Sequence, residues 1–339
     1  MTTAKPADLQ SEEAIIAEFW APLAAGFAGA FGLKDDCAAI TPEPGNDLVV
    51  TTDGLIAGVH FIPGDDPGAI AWKALAVNVS DLVAKGATPL AYVLSLALPG
   101  APERAWLAAF AGGLQRAQAA FGCSLIGGDT DRTLGPLSVS ITAFGIVPNG
   151  RMVRRSTAVV GDGVYVSGTI GDATLGLALV GNPALAQRCG LDAAAKAYLD
   201  ARFRLPQPPV GLRASLLGHA RAAMDISDGL VKDFDRLCRV SSVGGEIDAT
   251  AVPLSAAARA VVAAGGATLA DLITGGEDYE VLAAIAPHEV EKFKAAAAAA
   301  GTPVTRIGFI VDGGQGLRVH DGSGRAMAFT RTGWDHFGD

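Results

Sequence analysis

Short runs of strand formers alternate with helix-length stretches along this chain, and that alternation restricts it to a layered α/β architecture. Residues 48–52 form an apolar, β-rich run that ends on Asp53, and residues 92–98, 123–126, 137–146, 164–167, 222–226 and 279–285 read the same way. Helical spacing or propensity marks residues 12–25, 69–85 (closed by Gly86), 103–120 (opened by Pro102), the stretch from Gly229 to about Arg239, and the Ala-rich 292–300. A chain of 339 residues exceeds one typical core. Two domains are expected, 1–149 and 150–339, with the boundary at Pro148-Asn149-Gly150.

Bulk properties narrow the function classes. Half the residues are hydrophobic and 18% are charged, which excludes disorder. A net charge of −9 leaves no basic field for nucleic acid, so any phosphate ligand would need cations. Cys37, Cys123, Cys189 and Cys238 contain no C-x-x-C pair, so they are expected to be small buried thiols and not a zinc or disulfide framework. Residues 1–10 do not resemble a signal peptide, and the longest charge-free stretches are broken by Pro and Gly. A cytoplasmic protein without a membrane span is expected.

Familiar nucleotide and hydrolase motifs are missing: no G-K-[ST], no G-x-G-x-x-G after a strand, no G-x-S-x-G and no H-E-x-x-H. What recurs is aspartate at an expected strand end or turn beside Gly, Ser or Thr, at Asp36, Asp53, Asp129, Asp225 and Asp228, with Asp81 on a helix. Each alone could be a turn residue or a helix cap. Together they follow apolar segments whose ends would converge in one sheet. Carboxylates about 4 Å apart repel by about 1–4 kcal/mol per pair at surface-like dielectric, so cations would have to neutralise them. An all-oxygen set without His or Cys suits Mg²⁺, which shares its shell with phosphate oxygens. Thr51 and Thr52 could add oxygens, and Gly127-Gly128 and Gly275-Gly276 would allow close backbone approach to a ligand.

The same residues carry a family resemblance over almost the whole length. The segments are Asp35-Asp36-Cys37-Ala38, Thr51-Thr52-Asp53-Gly54-Leu55 with Gly58-Val59-His60-Phe61, and the run from Lys73 through Asn78 and Asp81 to Leu82. Gly127-Gly128-Asp129-Thr130, Met224-Asp225-Ile226-Ser227-Asp228-Gly229-Leu230, Gly275-Gly276-Glu277-Asp278-Tyr279-Glu280 and Trp334-Asp335-His336-Phe337 follow in order. In these motifs the chain resembles the bacterial thiamine-monophosphate kinases of the aminoimidazole-ribonucleotide-synthetase-like superfamily. The resemblance implies a two-domain α/β (α+β) fold, each domain a mixed or antiparallel sheet packed with helices.

It also implies phosphorylation of thiamine monophosphate to thiamine diphosphate by ATP, several Mg²⁺ ions, and a homodimer formed through the N-terminal domains. Carried over by position, Asp36, Thr51, Thr52, Asp53, Asp81, Asp129, Asp225 and Asp228 would bind metal. Gly128, Asp129, Arg155 and Ser227 would meet ATP, with Arg154 competing for the role of Arg155. His60, Glu277 and Trp334 would meet the thiamine substrate, an aromatic face suiting its cationic ring. Asp53, Asp129 and Arg155 would be catalytic. Two positions depart from the family pattern: Lys34 stands where Gly is usual, and Asp131 where Thr is usual. The alternatives are another ATP-dependent synthetase of the superfamily, or a nucleotide- or metal-binding regulator without turnover.

Overall fold

In a computed structural model that describes residues 12–335, the strand-forming runs assemble into two separate sheets. His336 and Phe337 of the terminal motif, and residues 1–10, lie outside the described residues. The chain divides into two compact units. The first takes in the described residues to Leu82 with Thr88–Gly150, the second Val83–Ala87 with the described residues from Arg151 onward.

In the first unit, β1 (Asn46–Ile56), β2 (Thr88–Leu98), β3 (Ser124–Arg132) and β4 (Ser138–Pro148) lie in the order β1-β4-β2-β3. The pairs β1/β4 and β4/β2 are antiparallel and β2/β3 is parallel. Alternation sets the faces. Val139, Ile141, Ala143 and Val147 of β4 and Val49 and Leu55 of β1 are buried, while Leu48, Val50 and Ile56 of β1 are exposed. Two 18-residue helices belong to this region, α1 (Pro67–Ala84) and α2 (Arg104–Phe121). Helix α1 carries Lys73, Asn78 and Ser80 into the interior beside its apolar residues, so each needs an internal partner.

In the second unit, β5 (Gly163–Ser167), β6 (Ala220–Ile226), β7 (Gly244–Asp248), β8 (Glu280–Ile285), β9 (Val304–Val311) and β10 (Leu317–His320) form a sheet ordered β10-β7-β9-β5-β8-β6. Only β10/β7 is parallel. Helices α3 (Asp172–Gly181), α4 (Ala193–Arg204) and α5 (Leu230–Ser241) belong here. Val164, Val166, Ile226, Leu230, Phe234, Leu282 and Ile307 share one core, and burying each such side chain is worth about 1.5–3 kcal/mol. Every residue of β5 and β8 is buried. The two-domain α/β fold with mixed sheets is therefore as expected from the sequence.

Three local expectations change. Asp53 lies inside β1 and does not end it, because β1 stays paired with β4 as far as Ile56 and Ser138. Gly127-Gly128-Asp129-Thr130 is strand and not loop, because parallel pairing with β2 continues to Leu98 and Arg132. Cys37 is exposed, whereas the other three cysteines are buried. No helix among the described residues is long and apolar enough to cross a membrane.

Candidate functional site

The expected site residues fall into local groups, each fixed by the strand or helix that carries it. On β1, Thr51 and Asp53 point to one face by strand alternation, and on α1, Asn78 and Asp81 share a helical face at i,i+3 spacing. The Thr51 hydroxyl donates to Asp81 Oδ2 at 2.5 Å, and the Asp53 amide donates to Asn78 Oδ1 at 3.0 Å. Asn78 is fully buried and donates in turn to the Ala74 carbonyl at 3.0 Å, so it clamps strand to helix beside the two acidic residues. Thr52 faces the other way; its hydroxyl donates to the Ile141 carbonyl at 3.1 Å and accepts from Thr142. Only its main-chain oxygen is left to serve the Thr51 side.

The loop after β1 carries His60, whose Nδ1 accepts from the Ile56 amide at 3.0 Å. In the neutral ring that bond places the hydrogen on Nε2. The buried Lys73 donates to the His60 carbonyl at 2.8 Å and holds the loop from below. Asp36 and its neighbours Lys34 and Asp35 are exposed in a bend.

At the opposite edge of this sheet, Gly128 has φ +152°, and a Cβ there would run into the Leu94 carbonyl. Only glycine lets β3 lie this close to β2. Asp129 and Asp131 alternate onto one face, and their carboxyls hydrogen-bond. That contact with Asp129, and its charge, raise the Asp131 carboxyl above its ordinary range. A cation beside Asp131 would offset the charge of Asp129. Lys34 and Asp131, the two departures from the family pattern, are both exposed.

Asp53 and Gly128 lie in one row of the sheet, through Ile141 and Leu94. Three strand spacings separate them, about 14 Å, so the carboxylates of β1 and β3 do not converge. Among the described residues, no three His, Cys, Asp or Glu side chains are grouped closely enough to hold a metal ion. The Thr51–Asp81 pair beside Asp53 and the Asp129–Asp131 pair are small all-oxygen donor sets. That chemistry fits Mg²⁺ completed by phosphate oxygens and water.

In the second unit β6 ends in a tight group. Asp225 is buried on β6, and the amides of Ser227 and Asp228 both donate to Asp233 Oδ2, at 3.0 and 2.9 Å. Burial foremost, then the charge of Asp228, pushes the Asp233 carboxyl up to about 6. Asp228 is not the helix cap, a position Gly229 takes. Its Oδ2 lies 3.0 Å from Arg236 Nη2 and 3.2 Å from Lys232 Nζ, so two cations already face it.

Against this turn lies the segment from Gly275 to Tyr279. The Glu277 amide donates to the Ser227 carbonyl at 2.7 Å and the Tyr279 amide to the Ile226 carbonyl at 2.8 Å. A Cβ at Gly276 would come 2.5 Å from the Ser227 carbonyl, which only glycine tolerates. The Trp334 amide donates to the Asp228 carbonyl at 2.8 Å, Lys232 donates to the Trp334 carbonyl, and Trp334 is 47% exposed. Ser227, Asp228, Glu277 and Trp334 are thus brought together from three distant stretches of chain. Arg154 and Arg155 are both exposed; the Ala223 amide donates to the Arg154 carbonyl and the Ser241 hydroxyl to the Arg155 carbonyl.

Beneath this group is a buried network that the sequence reading missed. Glu280 Oε1 pairs with Arg202 at 2.7 Å and Oε2 accepts from Ser167 at 2.5 Å. Both Asp278 oxygens accept from the Gly171 amide, at 3.0 and 2.9 Å. Asp172 accepts from Ser255, Thr169 and Tyr198. Burial pushes the Asp278 carboxyl well above the usual range and raises that of Glu280, with Arg202 opposing both. Glu277 and Tyr279 have φ +71° and +51°, at roughly 1–3 kcal/mol each for non-glycine residues. The available signal was charge inside an otherwise apolar strand, Asp278 and Glu280 leading into Val281–Ile285.

Two sheets of this order, with acidic residues on their strands, define a class. Residues 34–147 match AIR synthase related protein, N-terminal domain, and residues 159–320 match AIR synthase related protein, C-terminal domain. Thiamine-monophosphate kinase of Caulobacter vibrioides is 41% identical over 327 residues, covering 95% of this chain and 89% of that protein. The crystal structure of thiamine-monophosphate kinase from Stenotrophomonas maltophilia K279a superposes with a TM-score of 0.76 at 38% identity, over 87% of this chain and 91% of that one. A structure of AaThiL complexed with AMPPCP and TMP gives a TM-score of 0.75 at 31% identity, over 91% and 97%. The chain belongs to the thiamine-monophosphate kinase family of AIR-synthase-related proteins.

Proposed function

We propose that this chain is a kinase that uses ATP to phosphorylate thiamine monophosphate, giving thiamine diphosphate and ADP. Its similarity to thiamine-monophosphate kinases over most of the chain carries this reading, and the gathering of Ser227, Asp228, Glu277 and Trp334 supports a substrate site there. An oxygen of the thiamine monophosphate phosphate attacks the γ-phosphorus of ATP, the bond to the β,γ-bridging oxygen breaks, and ADP leaves. A phosphate with a second pKa of about 6 is largely ionised at neutral pH, so no side chain has to remove a proton. Transfer is direct, without a phosphoenzyme.

The protein's work is then positioning and charge compensation. Thr51, Asp53 and Asp81 form one oxygen set, with Thr52 offering its carbonyl; Asp129 and Asp131 form another; Asp36, Asp225 and Asp228 are further candidates. Mg²⁺ at these sets would neutralise phosphate oxygens as charge shifts between them. Gly128, Asp129 and Ser227 are assigned to ATP, with Arg155 or Arg154 supplying positive charge. The His60 Nε2–H, the Glu277 carboxylate and the Trp334 ring are assigned to the thiamine substrate. Under this reading the first domain, 1–149, binds metal and ATP, and 150–339 carries Ser227, Glu277 and Trp334 for nucleotide and substrate. The enzyme works in the cytoplasm.

Incubation with Mg²⁺, ATP and thiamine monophosphate should yield thiamine diphosphate, identified by mass. Phosphorylation of free thiamine but not of its monophosphate would overturn the substrate assignment.

A homodimer through the first unit is part of this reading, supported by β1, an 11-residue edge strand with Leu48, Val50 and Ile56 exposed. A long apolar edge of this kind invites pairing, and a second copy is the partner assigned to it. Val50→Glu should convert the dimer to a monomer by light scattering. A monomeric wild type would refute the assignment.

A further inference from the structure

We propose that Asp278 is a positioning residue for the thiamine substrate, acting through Glu277, with Arg202 as its brace. This rests on the reading of Glu277 as a substrate contact. Asp278 is buried, and both its carboxylate oxygens accept from the Gly171 amide immediately before α3. Arg202 on α4 reaches the Asp278 carbonyl at 3.4 Å and the Glu280 carboxylate at 2.7 Å, so the chain is gripped at residue 278 and again two residues on.

The residues on either side of Asp278 take up the consequence. Glu277 and Tyr279 both adopt positive φ, a conformation that non-glycine residues keep only where their surroundings impose it. Drawing Asp278 inward holds these two positions on either side of it. It also sets Glu277 so that its amide meets the Ser227 carbonyl, next to Asp228 and the Trp334 backbone. Under this proposal the direction of the Glu277 side chain is set by the buried Asp278 carboxylate.

Asp278→Asn keeps the shape but turns an amide group towards the Gly171 N–H, weakening the grip. It should raise KM for thiamine monophosphate about tenfold, leave KM for ATP within about twofold, and cost less than about twofold more when added to Glu277→Gln, because residues acting as one unit are not additive. Arg202→Lys keeps the charge but not the planar fork, and it should give the same split should Asp278→Asn fold poorly. Full multiplicative effects in the double variant, equal loss for both substrates, or no change in either KM would overturn the proposal. A Glu277→Gln variant with normal KM for thiamine monophosphate would refute the substrate-contact reading and the proposal with it. A raised KM in Glu277→Gln, with none in Asp278→Asn or Arg202→Lys, would refute the positioning role alone.

Discussion

Asp53→Asn should lower turnover of thiamine monophosphate by about 10²- to 10³-fold even at saturating Mg²⁺, the scale of losing one preorganised electrostatic group at the reacting charges. The fold should hold, because the strand contact at this position is made by the main chain: the residue 53 amide donates to Asn78 Oδ1, and Asn78 is anchored on Ala74. Amide for carboxylate keeps the volume and removes the charge. The melting temperature should therefore stay within about 2 °C of wild type, a change of under 1 kcal/mol for a domain of this size. Measuring kcat by ADP release across a magnesium titration separates weakened binding, which excess metal rescues, from lost transition-state stabilisation, which it does not. Turnover within a few-fold of wild type at saturating Mg²⁺ would eliminate Asp53 as a cation-gathering residue.

The polar group shared by β1 and α1 was legible in sequence because Thr51-Thr52-Asp53 is contiguous and α1 repeats polar residues at helical spacing. The two sheets were also legible, since burial alternates along β4 and is continuous along β5 and β8. Sheet order was not. Local composition puts turn residues at Gly127 to Thr130, and only pairing with β2, some 30 residues earlier, makes them strand. The same order puts Asp53 and Asp129 on opposite edges, so an expectation of converging carboxylates fails for these two although both belong to one sheet. Asp228 illustrates a second limit. Its neighbours Lys232 and Arg236 follow at i+4 and i+8 on α5, a spacing open to view, yet adjacency to Gly229 made a cap or a metal ligand the more obvious reading. Trp334 meets Asp228 across more than 100 residues, which no local pattern encodes.

Arg202→Met should destabilise the second unit by about 3–5 kcal/mol, the loss expected when one partner of a buried ion pair is removed and the other stays. The pair qualifies, with side-chain exposures of 12% for Arg202 and 7% for Glu280. For a unit of this size that corresponds to a melting temperature lower by about 6–20 °C. Methionine fills much of the volume, so the deficit is electrostatic and should depend on pH. Burial raises the folded-state carboxyls of Asp278 and Glu280 above their ordinary values, and Arg202 works against that rise. A carboxyl with a raised folded pKa contributes stability that is fully present below its unfolded pKa and is lost as pH rises through the folded value. Without Arg202 both carboxyls shift further upward, so the variant should lose more on going to high pH and recover more on acidification. Melting curves of wild type and variant between about pH 8 and pH 5, the range where raised carboxyls titrate, should show the gap narrowing as pH falls. A gap that stays constant or widens on acidification would mean that Arg202 braces α4 by packing alone and not by compensating the charge beneath the Glu277 turn.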